Sequence, residues 1–318
     1  MGGNPSGRPR ILILKPSSLG DIIHALPAVN LIRRRYPDAH LAWLVNTTVT
    51  SLLRNCPLLD EVIPFPRHEL RRLPALVRRL RQGRYDLVVD VQGLLRSGLL
   101  AALTGAPRRV GLSDAREGAG LFHNEIVPVP RSHAVDRYLR AAQHLGGATS
   151  PVLFPLGLAP TLQPEGYIGI NASARWPTKL WGDAKFAELI RQLPRDRVIL
   201  TGSAAEADRI GRLAQGCRNL AGQTDLFELA EWYRRCAVVV SNDSGPMHLA
   251  AAVGTPVVAI FGPTDPVLTG PYGDRLTVVR VALPCAPCFK DRCTNPVVME
   301  CMDRVSVAEV LHMVQRLI

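Results

Sequence analysis

The sequence predicts an α/β protein made of two doubly wound halves in tandem, and three observations carry that expectation. The chain has 318 residues, long for one core and comfortable for two domains of ordinary size. Short continuous apolar runs alternate with stretches of helical period, the rhythm of parallel strands covered on both faces by helices. That rhythm stops in a Pro- and Leu-rich stretch, Phe154 to Gln163, and then starts again. The expected halves are 1–155 and 156–318.

Arg10 to Lys15 reads as a buried parallel strand, and Pro16 to Asp21 as the turn after it. A helix is expected over Ile22 to Tyr36 despite Pro27, with Arg33, Arg34 and Arg35 near its C-terminal end, where the helix dipole favours cations. His40 to Val45, Asp60 to Pro64 and Leu87 to Val91 are expected strands, with an Arg-rich helix over Leu73 to Arg84. In the second half, strands are expected at Tyr167–Asn171, Val198–Thr201, Ala237–Ser241 and Pro256–Phe261. Helices are expected over Asp183–Leu193, Ala204–Gly216, Leu226–Arg235, Pro246–Val253 and Val307–Ile318. The expected architecture is two Rossmann-like domains facing across a cleft, with ligands at the carboxyl ends of the strands.

Hydrophobic residues make up 47% and charged residues 20%, an ordinary globular balance that excludes wholesale disorder. No apolar run reaches the roughly 18 residues of a membrane span. Met1 to Arg10 holds Gly, Pro, Asn and Arg without an apolar segment, so a polar leader and a cytoplasmic protein are expected. Residues 1–155 hold 21 Lys and Arg against 11 Asp and Glu, a net of +10, whereas the rest of the chain nets +1. Such an asymmetry points to an acidic partner for the first half: nucleic acid, an anionic membrane, or a phosphorylated or carboxylated substrate. The plainer account is a solubilising Arg-rich surface.

Three loops at expected strand ends carry the chemistry. In Ser17-Ser18-Leu19-Gly20-Asp21, two hydroxyls, a glycine and a helix N-terminus favour an anion, which makes Ser17, Ser18 and Gly20 candidate contacts for a ligand's phosphates. Asp21 reads either as a group facing the cleft or, more simply, as a helix cap. The loop lacks the GxGxxG spacing of an ordinary dinucleotide site. In Asn242-Asp243-Ser244-Gly245-Pro246-Met247-His248, a proline-led helix start with free backbone N–H groups suits a diphosphate. Phe261 to Pro266 forms a second rigid loop on that rim. In Asn171 to Trp181, Arg175 and Lys179 reach the same edge, where cations can neutralise a leaving diphosphate. Solvated surface charge is the plainer reading of both.

Read together, these segments resemble the bacterial lipopolysaccharide heptosyltransferases, glycosyltransferase family nine, which have the GT-B fold. The resemblance covers most of the chain. It rests on Lys15-Pro-Ser-Ser-Leu-Gly-Asp21-Ile-Ile-His24, Asp90-Val-Gln-Gly-Leu-Leu-Arg96-Ser, Ala115-Arg-Glu-Gly118 with Leu121-Phe122, His133-Ala-Val-Asp-Arg137, Trp176-Pro-Thr-Lys179, Asn242 to His248 and Phe261 to Asp265. It implies that Asp21 is the catalytic base and that the second half binds ADP-heptose, with Lys179 and the Asp243-Ser244-Gly245 loop at the diphosphate and His248 nearby. It further implies that the first half binds a Kdo-lipid A type acceptor, with Gln92, Arg96, Arg116 and Arg137 on the acceptor side, although Arg137 equally fits a structural salt bridge. The acceptor's anionic groups agree with the charge of the first half. An inverting, in-line transfer follows, and an enzyme that works peripherally at the anionic inner face of the inner membrane. No Asp-x-Asp pair exists in the sequence, so neither a metal on the diphosphate nor a cofactor is expected.

Cys285-x2-Cys288-x4-Cys293-x7-Cys301 offers four thiolates and a CxxC pair, which a structural Zn²⁺ could use. The flanking spacings are not those of a common zinc ribbon, and packed or redox-labile thiols are the favoured reading. This cluster resembles family members of the second heptosyltransferase type, whereas the Ala115–Gly118 and His133–Arg137 segments resemble the first. A non-catalytic nucleotide-binding protein that grips nucleic acid is the alternative of a different class. It lacks a nucleic-acid motif and a stacking array, since aromatics are only 5%. A family-nine transferase with another nucleotide sugar is the nearer alternative.

Overall fold

The computed structural model describes residues 7–66, 69–159 and 164–318. Most of the expected leader and the end of the expected Phe154–Gln163 linker lie outside the described residues. The chain divides into two compact units, Met1–Leu158 and Ala159–Ile318.

The first unit holds strands β1 (Arg10–Lys15), β2 (His40–Asn46), β3 (Glu61–Phe65), β4 (Leu87–Asp90), β5 (Arg108–Leu112) and β6 (Glu125–Val127). Its helices are α1 (Leu19–Arg35), α2 (Leu73–Gln82), α3 (Leu95–Leu103) and α4 (Ala134–His144). The strands form one parallel sheet in the order β3-β2-β1-β4-β5-β6. β1 is central, which explains why Ile11 to Leu14 are all apolar and all buried.

α1 begins three residues earlier than the apolar period indicates, and Ser18 is its N-cap. Asp21 therefore lies inside the first turn. Pro27 sits mid-helix, at a typical cost of about 3 kcal/mol. Ile22, Ile23, Leu26, Val29, Leu31 and Ile32 are buried along the same helix, and at roughly 1.5–3 kcal/mol each their burial outweighs it. α2 stops two residues short of the expected Arg84, which has a left-handed φ of 45° that no α-helix continues. Strands β5 and β6 escape a periodicity reading because they are short and carry charge, including the Arg108–Glu125 ion pair between them.

The second unit holds β7 (Tyr167–Asn171), β8 (Val198–Leu200), β9 (Arg218–Asn219), β10 (Cys236–Asn242), β11 (Val257–Ile260) and β12 (Leu276–Val279). Its helices are α5 (Asp183–Arg191), α6 (Ala207–Ala214), α7 (Leu226–Arg234), α8 (Gly245–Ala252), α9 (Pro266–Thr269), α10 (Glu300–Asp303) and α11 (Val307–Gln315). The expected helix Ala204–Gly216 is split: a 3₁₀ turn over Ala204–Glu206 leads into α6, which ends where Gln215 turns left-handed at φ 48°. The sheet is again parallel, in the order β12-β11-β10-β7-β8-β9.

Counted within each unit, both sheets have the strand order 3-2-1-4-5-6. Chain direction across the sheet reverses between the first and fourth strands, so each unit has a switch point where two loops diverge and leave a crevice. In the first unit these are the loops after β1 and β4, and in the second those after β7 and β10. No helix among the described residues is long and apolar enough to cross a membrane.

Candidate active site

Each switch point brings a lysine beside a carboxylate. In the first unit the lysine is Lys15, the last residue of β1. Its side chain is only 4% exposed, and its ammonium donates to the Val91 carbonyl at 3.1 Å. It lies 4.7 Å from the centre of the Tyr138 ring and 3.9 Å from Asp21 Oδ1. Burial disfavours the lysine charge, but Tyr138, Asp21 and Asp90 outweigh it and hold the ammonium above the ordinary lysine value.

Asp21 is the exposed member of the pair, with 39% of its side chain accessible. It does not cap α1, because the cap position belongs to Ser18, whose hydroxyl donates to Asp21 Oδ2 at 2.7 Å. The protein crowded around the carboxylate disfavours its charge. Lys15, Ser18, His24 and Ser17 together prevail and hold Asp21 below the ordinary aspartate value. Ser17, Ser18 and Gly20 thus surround a carboxylate of the protein itself. The Ser18 hydroxyl is engaged by that carboxylate.

Asp90, the last residue of β4, is fully buried. It accepts from the backbone N–H groups of Gln92 and Gly93 at 2.9 and 3.1 Å, and its other oxygen lies 3.0 Å from His123 Nε2. The imidazole fits because residue 111 is glycine: a Cβ there would lie 2.0 Å from His123 Nδ1. This pair fixes the turn that carries Gln92. Gln92 Oε1, Arg96 Nε and Arg137 Nε are buried without a hydrogen-bond partner. Arg96 stacks on Phe65 at 5.2 Å. Arg116 is exposed and its backbone N–H donates to the Gly93 carbonyl, which ties the two loops together. Arg137 forms an ion pair with Asp114.

In the second unit the roles of buried and exposed partner are reversed. Lys179 Nζ lies 2.7 Å from Asp243 Oδ2, with the lysine 18% and the carboxylate 5% exposed. Thr264 also donates its hydroxyl to Asp243, and the Lys179 ammonium sits 4.9 Å from the Trp176 ring. Asp243 is therefore buried and anchors Lys179. Ser244 leaves the N-terminus of α8 without a side-chain cap, its hydroxyl lying 3.0 Å from that of Ser241. Gly245 starts the helix, and its first N–H groups have no intrahelical partner. His248 is buried one turn in, and Arg175 is exposed and outside the ion pair. Trp181 pins the lysine loop: its backbone N–H donates to Asn242 Oδ1 at 3.1 Å, and its indole to the Val305 carbonyl at 2.9 Å.

Sequence reading missed the part played by Lys15, His123, Thr178 and Thr264. The signal for Lys15 was present, a lysine closing an otherwise apolar central strand. The Cys-rich segment also has a place in the site. The Phe289 N–H donates to the Pro263 carbonyl at 2.8 Å, and Thr178 donates to the Lys290 carbonyl at 2.7 Å, so the segment ties the Thr264 loop to the Lys179 loop. All four thiols are free, and among the described residues no group of three or more His, Cys, Asp or Glu is arranged to hold a metal ion.

Comparison with known proteins fits this frame. The family model described as glycosyltransferase family 9 (heptosyltransferase) matches residues 73–299. Lipopolysaccharide heptosyltransferase 1 of Pseudomonas aeruginosa is 34% identical over 310 residues, covering 90% of this chain and 87% of that protein. The Escherichia coli heptosyltransferase WaaC with ADP superposes with a TM-score of 0.81 at 27% identity, covering 97% of this chain and all of that one. The E. coli ADP-heptose lps heptosyltransferase II gives 0.78 at 26% identity, covering 97% and 98%. Two parallel doubly wound units with these polar switch points define an α/β glycosyltransferase of the GT-B class. Within that class the chain belongs to glycosyltransferase family 9, the heptosyltransferases.

Proposed function

We propose that the protein transfers heptose from ADP-heptose to the Kdo/inner-core region of lipopolysaccharide, with inversion and without a metal. The observation that carries this reading is Asp21, a partly exposed carboxylate held ionised at a switch point where a helix cap would need neither the exposure nor the lysine. Asp21 accepts the proton of the acceptor hydroxyl as its oxygen attacks the anomeric carbon. The bond from that carbon to the β-phosphate oxygen breaks, and its electron pair leaves with ADP. A single displacement inverts the anomeric centre. Lys179 and the open N-terminus of α8 stabilise the charge that develops on the departing diphosphate. The orphaned polar atoms of Gln92, Arg96 and Arg137 support an anionic, hydroxyl-rich acceptor on the first unit.

The donor follows from relatives that bind ADP or are named for ADP-heptose. Peripheral attachment of the first unit to the anionic inner face of the inner membrane completes the reading, since a lipid-linked acceptor must be met there. Incubation with ADP-heptose and either Kdo2-lipid A or its heptosylated product, followed by mass spectrometry and NMR of the new linkage, tests it. Mass gain by one heptose with inverted configuration is expected. No gain with either acceptor would overturn it.

A further inference from the structure

Lys15 is a buried cation in the middle of an apolar sheet. Its five predecessors on β1 include Ile11, Leu12, Ile13 and Leu14, all buried, so an apolar residue would suit this position. Removing an ammonium from water is costly even after relaxation, so what the cation faces matters. It faces two carboxylates. Asp90 already accepts from two backbone N–H groups and pairs with His123. Asp21, by contrast, accepts from the Ser18 hydroxyl, and Lys15 is the foremost of the groups that favour its charge, ahead of His24. The cation is therefore needed chiefly at Asp21.

Resting on the reading of Asp21 as the base, we propose that Lys15 is its positioning residue: the buried ammonium fixes where the carboxylate points and keeps it charged and ready for the acceptor proton. Lys15 itself gives and takes no proton. When Asp21 is neutralised during transfer, the ammonium keeps the Val91 carbonyl and the Tyr138 ring, with the charge of Asp90 acting through space, and is not stranded. The other ionisable groups packed here are His24 on α1, His133 at the start of α4 with its ring 5.1 Å from that of His24, and Arg137, which is paired with Asp114.

Lys15→Gln keeps a donor for the Val91 carbonyl and removes the charge, while Lys15→Arg keeps the charge. Two measurements apply: the carboxyl ¹³C titration of Asp21, assigned with Asp21→Asn, and the pH profile of kcat/KM. ADP affinity and thermal melting, which report on the second unit and on folding, accompany both. In Lys15→Gln the Asp21 titration and the acid limb of the profile should move together to higher pH. Activity there falls roughly tenfold for each pH unit separating the two profiles, which converge at the alkaline end. Lys15→Arg should restore the limb. A folded, ADP-binding Lys15→Gln whose Asp21 titrates as in the unmodified protein, or whose loss is the same at every pH, would overturn the proposal. So would an unmodified protein whose Asp21 titrates at or above the ordinary aspartate value, a result that needs no variant. Near-native turnover by Asp21→Asn would instead overturn the base reading alone, because the carboxyl titration reads the Lys15–Asp21 pair whether or not it acts on substrate.

Discussion

A lysine and a carboxylate meet in each unit, and which of the two faces outward differs between them. At Lys15–Asp21 the cation is buried and the carboxylate exposed, and at Lys179–Asp243 the reverse holds. On the proposed reading the outward group is the one that acts: a base in the first unit, a phosphate-binding cation in the second. Replacing Asp21 with Asn should slow transfer by roughly 10²–10⁴-fold while ADP affinity and melting temperature stay near those of the unmodified protein. Near-native turnover would leave the carboxylate with a structural part only. Because Asp21 is held below the ordinary aspartate value, it stays charged as pH falls into the ordinary carboxylate range, and the activity it supports is lost only below that. In the second unit, Lys179→Met should lower kcat by about 10²–10³-fold, as expected for a donor aimed at developing charge. Asp243→Asn should cost less, since it loosens the ammonium without removing it. A Lys179→Met enzyme with unchanged kcat would show that the pair only holds the loop.

At the scale of elements, α2 shows how an amphipathic stripe divides its work. Leu76 and Leu80 are buried against the sheet, while Arg78, Arg79 and Arg81 are exposed. Arg79 is paired with Glu61 on β3, which leaves Arg78 and Arg81 as the better candidates for an anionic lipid surface. Each such residue contributes about 1 kcal/mol near that surface, and salt screens it. In vesicle co-sedimentation at low salt, Arg78→Gln with Arg81→Gln should weaken binding to anionic vesicles by roughly tenfold or more, and Arg79→Gln by less. Equal binding to neutral and anionic vesicles would reduce the charge to a matter of solubility or substrate contact. The long helix α1 and the buried apolar strand β7 were legible in the sequence to within a few residues. The edge strands β6 and β9 were not, because two or three residues at a sheet edge carry no periodicity and are fixed by their neighbours' hydrogen bonds.

For the whole molecule, two sheets of one strand order place their chemistry at equivalent positions, the ends of the first and fourth strands. If, as proposed, Lys179 and the N-terminus of α8 stabilise the departing diphosphate, no divalent ion is needed, and turnover with EDTA should match that without it. Loss that Mg²⁺ restores would refute a metal-independent mechanism.

The sequence by itself determined the α/β class, the repeat of the doubly wound pattern, the charged first half and the loops that hold Asp21, Lys179 and Asp243. These are local properties: buried parallel strands demand apolar runs, and the loops between them are free to carry polar motifs. Only the tertiary structure decided what those residues do to one another. Lys15 meets Asp21 across a turn, Asp90 meets His123 across the sheet, and Thr264 meets Asp243 from a later loop. Whether Asp21 capped a helix or stood open beside a buried ammonium depended on where α1 begins and on what closes around the end of β1. The burial and partners that settle a carboxylate's charge come from residues distant in the chain, so that answer could come only from the folded chain.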